Sequence, residues 1–509
     1  KNMYNGTIVS EDETSTLIVF NLADDAYINE VAQNVLTKTK QLNLPETLYY
    51  TGSPMLVTYI SELMKRDLTR LLPLAFLVIG LVLFFSFRTI SGVILPLLTA
   101  VISIVWSLGL MGLLGYSMSM ISNNIPIILL AVGSAYSIHV INRINQLRAQ
   151  RRTDAVQTAL AYVLVPVILA AVTTMIGFVS FIFGAYLEMI VEFGIFTALG
   201  TLFACLLSIF FVPAIMSFRK TKKTTSEIKK PSDSFLKDSI LEPLSKLLFK
   251  YPKRILIIWI LLIATSVFGL FSIKRSVDIQ EYFKKDNPTR LAEKIMVEKF
   301  GGTKPVFVLF KGNMQSPEVL KTMKKTAEYM EASPDIYTSM SIADLISELN
   351  FAITGNRDIP DDPDQIEQLW FLLDGNEILN RFVSEDLDEG IIISKFKSPD
   401  NQSKKVFSEY MNTFIKANST KNCQIEITGM PFVDITMDKS LINSQMGSIS
   451  IAIIFVIFIV GLILRSLKSG LYASIPIVSA IIILFGVMGL TGISLNIATV
   501  LVASVALGI

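Results

Sequence analysis

The sequence predicts a polytopic α-helical membrane protein that carries two polar α/β domains and is built as a duplication. Three observations predict it. Of 509 residues, 51% are hydrophobic and only 17% charged, with mean hydropathy +0.54; an ordinary soluble chain carries about 25% charged residues. The apolar residues gather into runs near or above the roughly 18 residues that a bilayer crossing needs. The chain also matches itself at a constant offset of 377 residues. TGSP at Thr51–Pro54 recurs as TGMP at Thr428–Pro431, Arg88 maps to Arg465, and MGLLG at Met111–Gly115 maps to MGLTG at Met488–Gly492.

Residues 1–65 read as the end of a first polar domain. TLIVFNL (Thr16–Leu22) is rich in the β-branched residues of strands. Ile28, Val31, Val35 and Leu42 have helical spacing, and TLYYTG (Thr47–Gly52) reads as a second strand. Five apolar runs occupy residues 66–218: Leu71–Phe87, Ile90–Gly115, Met120–Asn142, Val156–Phe183 and Met189–Phe218. Residues 219–254 form a basic linker, with eleven Lys/Arg against four Asp/Glu. It is expected to be solvated or to lie along anionic headgroups. A sixth run fills residues 255–273. Residues 274–443 form a second polar domain, with strands at Pro305–Phe310, Ile391–Phe396 and Cys423–Gly429. Its helices lie near Pro317–Ala332 and Gln402–Ala417, and Asp358–Gly375 starts as a loop and becomes helical. Residues 444–509 hold two more runs, Met446–Leu464 and Leu471–Gly492, and the start of a ninth at Ser494.

The joints set the topology. Arg88, the cluster Arg143, Arg148, Arg151 and Arg152, and Arg465 fall at alternate joints. Tyr116–Ser119 and Gly184–Glu188 contain no Lys or Arg. Basic residues mark the cytoplasmic side, so both polar domains are expected outside. No signal peptide opens the chain. Its first residues read as the middle of a domain and its last as the middle of an apolar run, as expected of a piece truncated at both ends.

Composition excludes several function classes. A net charge of +2 gives no footprint for nucleic acid. Cys205 lies in an apolar run and Cys423 in a polar region, so no disulfide is expected. The single histidine lies in an apolar run, which excludes a His-containing triad in either polar domain, and the counts of His and Cys exclude a His/Cys metal set. No GxxxxGK[ST] loop appears, so ATP is not the expected driver. We therefore expect no enzyme, no cofactor and no metal.

The chemistry that remains lies in Asn123–Arg143. This stretch is apolar enough to span, yet it carries His139, the single histidine of the chain, with Ser134, Tyr136, Ser137 and Asn142. Ionisable groups in spanning helices mark ion or substrate pathways, and imidazole is the side chain that changes charge nearest physiological pH. Helical spacing places position 132, positions 135 and 136, His139 and Arg143 on one face. That face is expected to turn into the bundle. The proton-relay candidates are His139, Tyr136, Ser134, Thr173, Thr174 and Glu192. The bland alternatives are an interfacial histidine, interhelical packing by Thr173 and Thr174, and helix-dipole stabilisation of Glu192 with Glu188. Gly109, Gly112, Gly115 and Gly133 are expected to permit close helix packing.

Two stretches resemble a known family. VPVILAAVTTMIGFVSF (Val165–Phe181) is similar to the fifth helix of the resistance-nodulation-division (RND) superfamily. EFGIFTALGTLFACLLSIFFVPAIM (Glu192–Met216) is similar to its sixth. The nearest branch is the large mycobacterial-type membrane protein (MMPL) exporters, and Leu71–Phe218 resembles sterol-sensing domains. The resemblance covers nearly the whole chain. It implies a duplicated RND-type architecture with two extracytoplasmic, ferredoxin-like porter domains. The chain would hold helices two to nine and the start of ten, in a bacterial cytoplasmic (inner) membrane. It implies a proton-motive-force-driven exporter of lipids or other hydrophobic molecules, with the bilayer, such a substrate and protons as partners, and it leaves homo-oligomerisation open. One departure stands out: where the family carries an aspartate after the glycine of helix four, this chain has Ser134, Ala135 and Tyr136. The alternatives are an accessory subunit of protein secretion, related to the Sec membrane subunits, and a lipid- or sterol-sensing receptor that transports nothing.

Overall fold

The structure, a computed structural model, describes residues 8–20, 22–23, 27–150, 152–185, 187–218, 242–274, 283, 286–373, 375–376, 379–397, 401–496 and 499. Most of the predicted linker and the predicted ninth run lie outside them. The chain divides into a polar unit (residues 1–60 and 277–439) and a helical unit (residues 61–276 and 440–509).

The helices and strands follow in chain order. The first half contains α1 (Ile28–Gln41), α2 (Ser53–Phe87), α3 (Ile90–Leu113), α4 (Ile125–Ala149), α5 (Ala155–Gly184), α6 (Glu188–Leu206), α7 (Val212–Ser217), α8 (Glu242–Lys250) and α9 (Pro252–Leu270). Then come α10 (Pro288–Phe300), β1 (Lys304–Lys311), α11 (Pro317–Glu331), β2 (Ile336–Met340), α12 (Ile342–Thr354), α13 (Pro363–Leu373), β3 (Glu389–Phe396), α14 (Asn401–Asn418) and β4 (Gln424–Gly429). The chain continues as α15 (Met430–Ile463) and α16 (Leu467–Thr491). Eight helical segments among the described residues are long and apolar enough to cross a membrane.

In the polar unit, β1 sits between β3 and β4, and β2 flanks β3, giving the order β2-β3-β1-β4 with every pairing antiparallel. Two interleaved βαβ units produce this order, the ferredoxin-like pattern. Alternation explains the sheet: Val306, Val308 and Phe310 are buried while their neighbours are half-exposed. They pack with Met323, Ile392, Phe407 and Ile425. Lys404 of α14 is 1% exposed. Its Nζ lies 2.7 Å from Asp434 Oδ2, which also meets Lys304 Nζ at 3.1 Å. This shared carboxylate ties β1 and α14 to the first turns of α15.

The predicted β-α-β piece before residue 52 needs correction. Helix α1 forms, but neither Thr16–Leu22 nor Thr47–Gly52 enters a ladder among the described residues. One isolated bridge joins Val9 to Thr16. Ile18 and Val19 are 84% and 77% exposed. Strand propensity is realised only against a neighbouring strand and a covering face, and these segments have neither among the described residues. Sequence reading also missed β2, α10 and α12.

The duplication is written in the backbone. Gly52 and Gly429 both have positive φ, at 106° and 129°; so do Arg88 and Arg465, at 48° and 50°, and Gly115 and Gly492, at 82° and 74°. Each pair is separated by the same 377 residues. The residue after each arginine caps the next helix alike, Thr89 accepting from Gly92 N and Ser466 from Ser469 N. The TGxP motif thus marks where α2 and α15 begin, well before their apolar runs, with proline at the second helical position, where its missing N–H costs little.

Candidate functional site

α4 is the axis of the helical unit, packed against α3, α5, α6 and α7. Its most apolar window is 61% buried, against 6% for α2. Gly133 lets its neighbours close in: a methyl there would meet Ala204 Cβ at 3.2 Å and Ala100 Cα at 3.4 Å. At the far end Arg148 donates to the carbonyl of Met216, tying α4 to α7.

Three polar groupings surround α4. The first is a buried hydroxyl chain. Thr99 Oγ1 donates to Pro96 O at 2.8 Å and meets Ser137 Oγ at 2.7 Å. Ser137 Oγ meets Ser208 Oγ at 2.8 Å, and Ser208 donates to Ala204 O at 2.7 Å. All three side chains are fully buried. Ser208 lies in a π-helical turn, Leu207–Phe211, between α6 and α7; such turns recur at functional positions. Three hydroxyl hydrogens serve four contacts. When Thr99 and Ser208 both donate to carbonyls, Ser137 can donate to only one of them.

The second grouping is Tyr136 with Thr174. The phenol donates to Thr174 Oγ1 at 3.1 Å, and Thr174 donates to Ala170 O at 2.7 Å. The third is a cavity of about 230 Å3 between α4 and α5. α4 contributes His139, Asn142, Arg143 and Gln146; α5 contributes Val163, Pro166, Val167 and Ala170. Each set is spaced i, i+3, i+4, i+7, the rhythm of one helical face.

The structure thus brings Tyr136 and Thr174 together and leaves the other relay candidates apart. Ser134 and Thr173 donate to carbonyls of their own helices, Ala131 O and Ala170 O. Glu192, half-buried near the start of α6, has no hydrogen bond to the others among the described residues. The expectation that Tyr136 and His139 turn inward together is corrected: Tyr136 is 4% exposed, but His139 lies on the exposed side. The three-residue step rotates His139 about 60° backwards around the helix, past the edge of the buried arc, whereas Arg143 returns to half-burial. The packing role of Gly109, Gly112 and Gly115 is also corrected. A Cβ at any of them would meet nothing within 4 Å among the described residues. They occupy the end of α3 beyond its closest neighbours, and Gly115 instead supplies the left-handed turn that ends it. Close approach occurs where it was not predicted: Cβ atoms on Gly486 and Gly489 would strike the backbone of Ser266 and Gly269.

Sequence reading missed Thr99 and Ser208. Single hydroxyls in apolar runs carry no charge signal, and their partners lie 38 and 71 residues from Ser137.

Residues 2–233 match the MMPL family. The MMPL match covers α1 to α7 and thus both buried polar groupings. The chain is also 29% identical, over 168 residues, to a Methanocaldococcus jannaschii protein named as a membrane protein; the alignment covers 33% of this chain and 43% of that relative. Among solved structures, the hedgehog release protein Disp of the water bear Hypsibius dujardini superposes with a TM-score of 0.64 at 12% identity, covering 94% of this chain and 64% of that one. The chain therefore spans less than two thirds of either protein. The chain is a multi-pass membrane protein with a fold like that of Disp, and its residues 2–233 match the MMPL family.

Proposed function

We propose that this MMPL-type chain is part of an exporter that moves lipids or other hydrophobic molecules, driven by the proton-motive force across a cell membrane. One observation carries the reading: the enclosed spanning helix α4 is threaded by buried hydroxyl groups that link it to α3, α5 and the π-helical turn. An inert scaffold would fill these positions more cheaply with apolar side chains, because buried hydroxyls must all find partners. The chain Thr99–Ser137–Ser208 stands in the region where the family carries its carboxylate, and hydroxyls can pass protons along hydrogen bonds. Each proton crossing about 100 mV supplies roughly 2.3 kcal/mol, enough to bias a conformational cycle. The exporter is not an enzyme in this reading. The fold shared with the hedgehog release protein Disp and the MMPL match support the lipid-related class.

The test is flux from sealed proteoliposomes under an imposed pH gradient, with a fluorescent lipid as cargo. Flux that stops with a protonophore, and falls at least about tenfold in Ser137→Ala, agrees with the proposal. Flux indifferent to the gradient removes the proton coupling. Saturable lipid binding without any flux would instead support a sensing receptor.

A further inference from the structure

The cavity between α4 and α5 has a chemistry that the hydroxyl chain does not use. Its α4 wall presents an imidazole, two carboxamides and a guanidinium, and none of the lining residues is acidic. Arg143 is held in place from two sides. Its guanidinium lies 4.6 Å over the Tyr162 ring, and Nη1 donates to Gln146 Oε1 at 3.2 Å. Its Nε is buried and has no acceptor. Among the described residues Nη2 has no partner either, and Arg143 joins no ion pair. Buried charge is normally matched by a counter-charge. Here a half-buried, positioned cation has none among the described residues, and it stands beside groups that can all donate.

The opposite wall is apolar: Val163, Pro166, Val167 and Ala170. It continues outward onto Tyr162, Val165 and Ile168, which are 61%, 59% and 41% exposed. A ligand for this place needs an anionic group with several acceptors at one end and hydrocarbon at the other. We infer that the cavity is a binding site for the phosphate of an anionic lipid headgroup, with Arg143 as the charged ligand, Asn142, Gln146 and His139 as further donors, and α5 as the wall for the acyl chain. Guanidinium suits this role because its fork of donors matches phosphate oxygens, and the ring beneath it fixes the plane of that fork. The inference does not depend on proton coupling, since binding needs no gradient.

The whole chain, purified in a neutral detergent, tests it by native mass spectrometry with three probes: short-chain phosphatidylglycerol, phosphatidylcholine of equal chain length, and inorganic phosphate. The expected result is retention of phosphatidylglycerol over phosphatidylcholine, and no displacement by phosphate at equal concentration. Arg143→Gln should weaken retention at least about tenfold, as loss of a charge-assisted hydrogen bond implies. Asn142→Asp, an exposed change that puts a negative charge beside the guanidinium, should do the same should Arg143→Gln fail to fold. Arg152→Gln, an exposed arginine near the same end, should leave retention within about twofold. Equal retention of both lipids overturns the inference, as does an Arg152→Gln effect matching that of Arg143→Gln. Phosphate displacing the lipid would make this a soluble-anion site and overturn the lipid assignment. No retention of phosphatidylglycerol overturns it too.

Discussion

Asp434 illustrates how a single residue holds the polar unit together. Two lysines approach one of its oxygens, and Lys404 has almost no access to water. Removing one partner of a buried ion pair costs about 3–5 kcal/mol. Asp434→Asn should therefore destabilise the polar unit by an amount in that range, read as loss of hydrogen-exchange protection in β1 and α14. Asp344 makes a different prediction. It closes the capping box of α12, accepting from Ser341 N and Oγ at 2.8 Å each. Burial holds its carboxyl above the usual carboxylate range, with the Ser341 bonds pulling the other way. The folded state thus keeps this proton more tightly than the unfolded chain, so ionisation costs stability. The cost is absent below the unfolded carboxylate range and is complete once pH has risen through the folded pKa. Asp344→Asn should flatten the acid-side slope of a pH–stability profile measured by urea unfolding. Neither residue was legible beforehand. A charge pattern does not say which lysine is covered, since covering comes from the sheet that folds over it.

Among elements, the packing of α9 on α16 depends on Gly486 and Gly489 facing Ser266 and Gly269. Without apolar driving force in lipid, such small-residue contacts let the backbones themselves touch. Gly489→Leu should separate the two helices, seen as loss of a cross-link between cysteines placed along the contact, while the eight spans still insert. The elements that sequence reading located well were those defined by length and hydropathy, such as α3, α5 and α16. It also found β1, β3 and β4, where a short apolar run lies between turn residues. It failed at Thr16–Leu22 because propensity cannot report whether a partner strand exists. It failed at Gly109 and Gly112 because glycine spacing alone does not say which face meets a neighbour. The paired arginines at the α2–α3 and α15–α16 turns lead to another expectation. A non-glycine residue with positive φ is strained by about 1 kcal/mol, so Arg465→Gly should raise the thermal midpoint slightly. An unchanged or lower midpoint would show that the arginine earns its strained position through contacts.

For the whole molecule, the offset of 377 residues read from the sequence reappears as three matched pairs of left-handed backbone positions and one matched pair of caps. The fold class was therefore legible, because duplication leaves marks that survive divergence wherever the backbone permits few residues. The site was half legible. Of the relay candidates, Tyr136 and Thr174 stand within hydrogen-bond distance of each other; the hydroxyl chain was not foreseen, because its members come from three separate helical segments and carry no charge. If the exporter reading holds, Tyr136→Phe and Ser137→Ala should each reduce gradient-driven lipid flux without reducing the amount of protein in the membrane. Tyr136→Phe should have the smaller effect, since the chain Thr99–Ser137–Ser208 stays intact.

Three hydrogens shared over four close oxygen contacts leave no arrangement in which every contact is satisfied. The interior around Ser137 therefore has at least two orientations of its O–H dipoles that differ only by rotation about single bonds. Reversing them moves no helix and opens no void. A patch deep in hydrocarbon can in this way respond to a passing field as a small reorientable medium, where aliphatic side chains would remain indifferent.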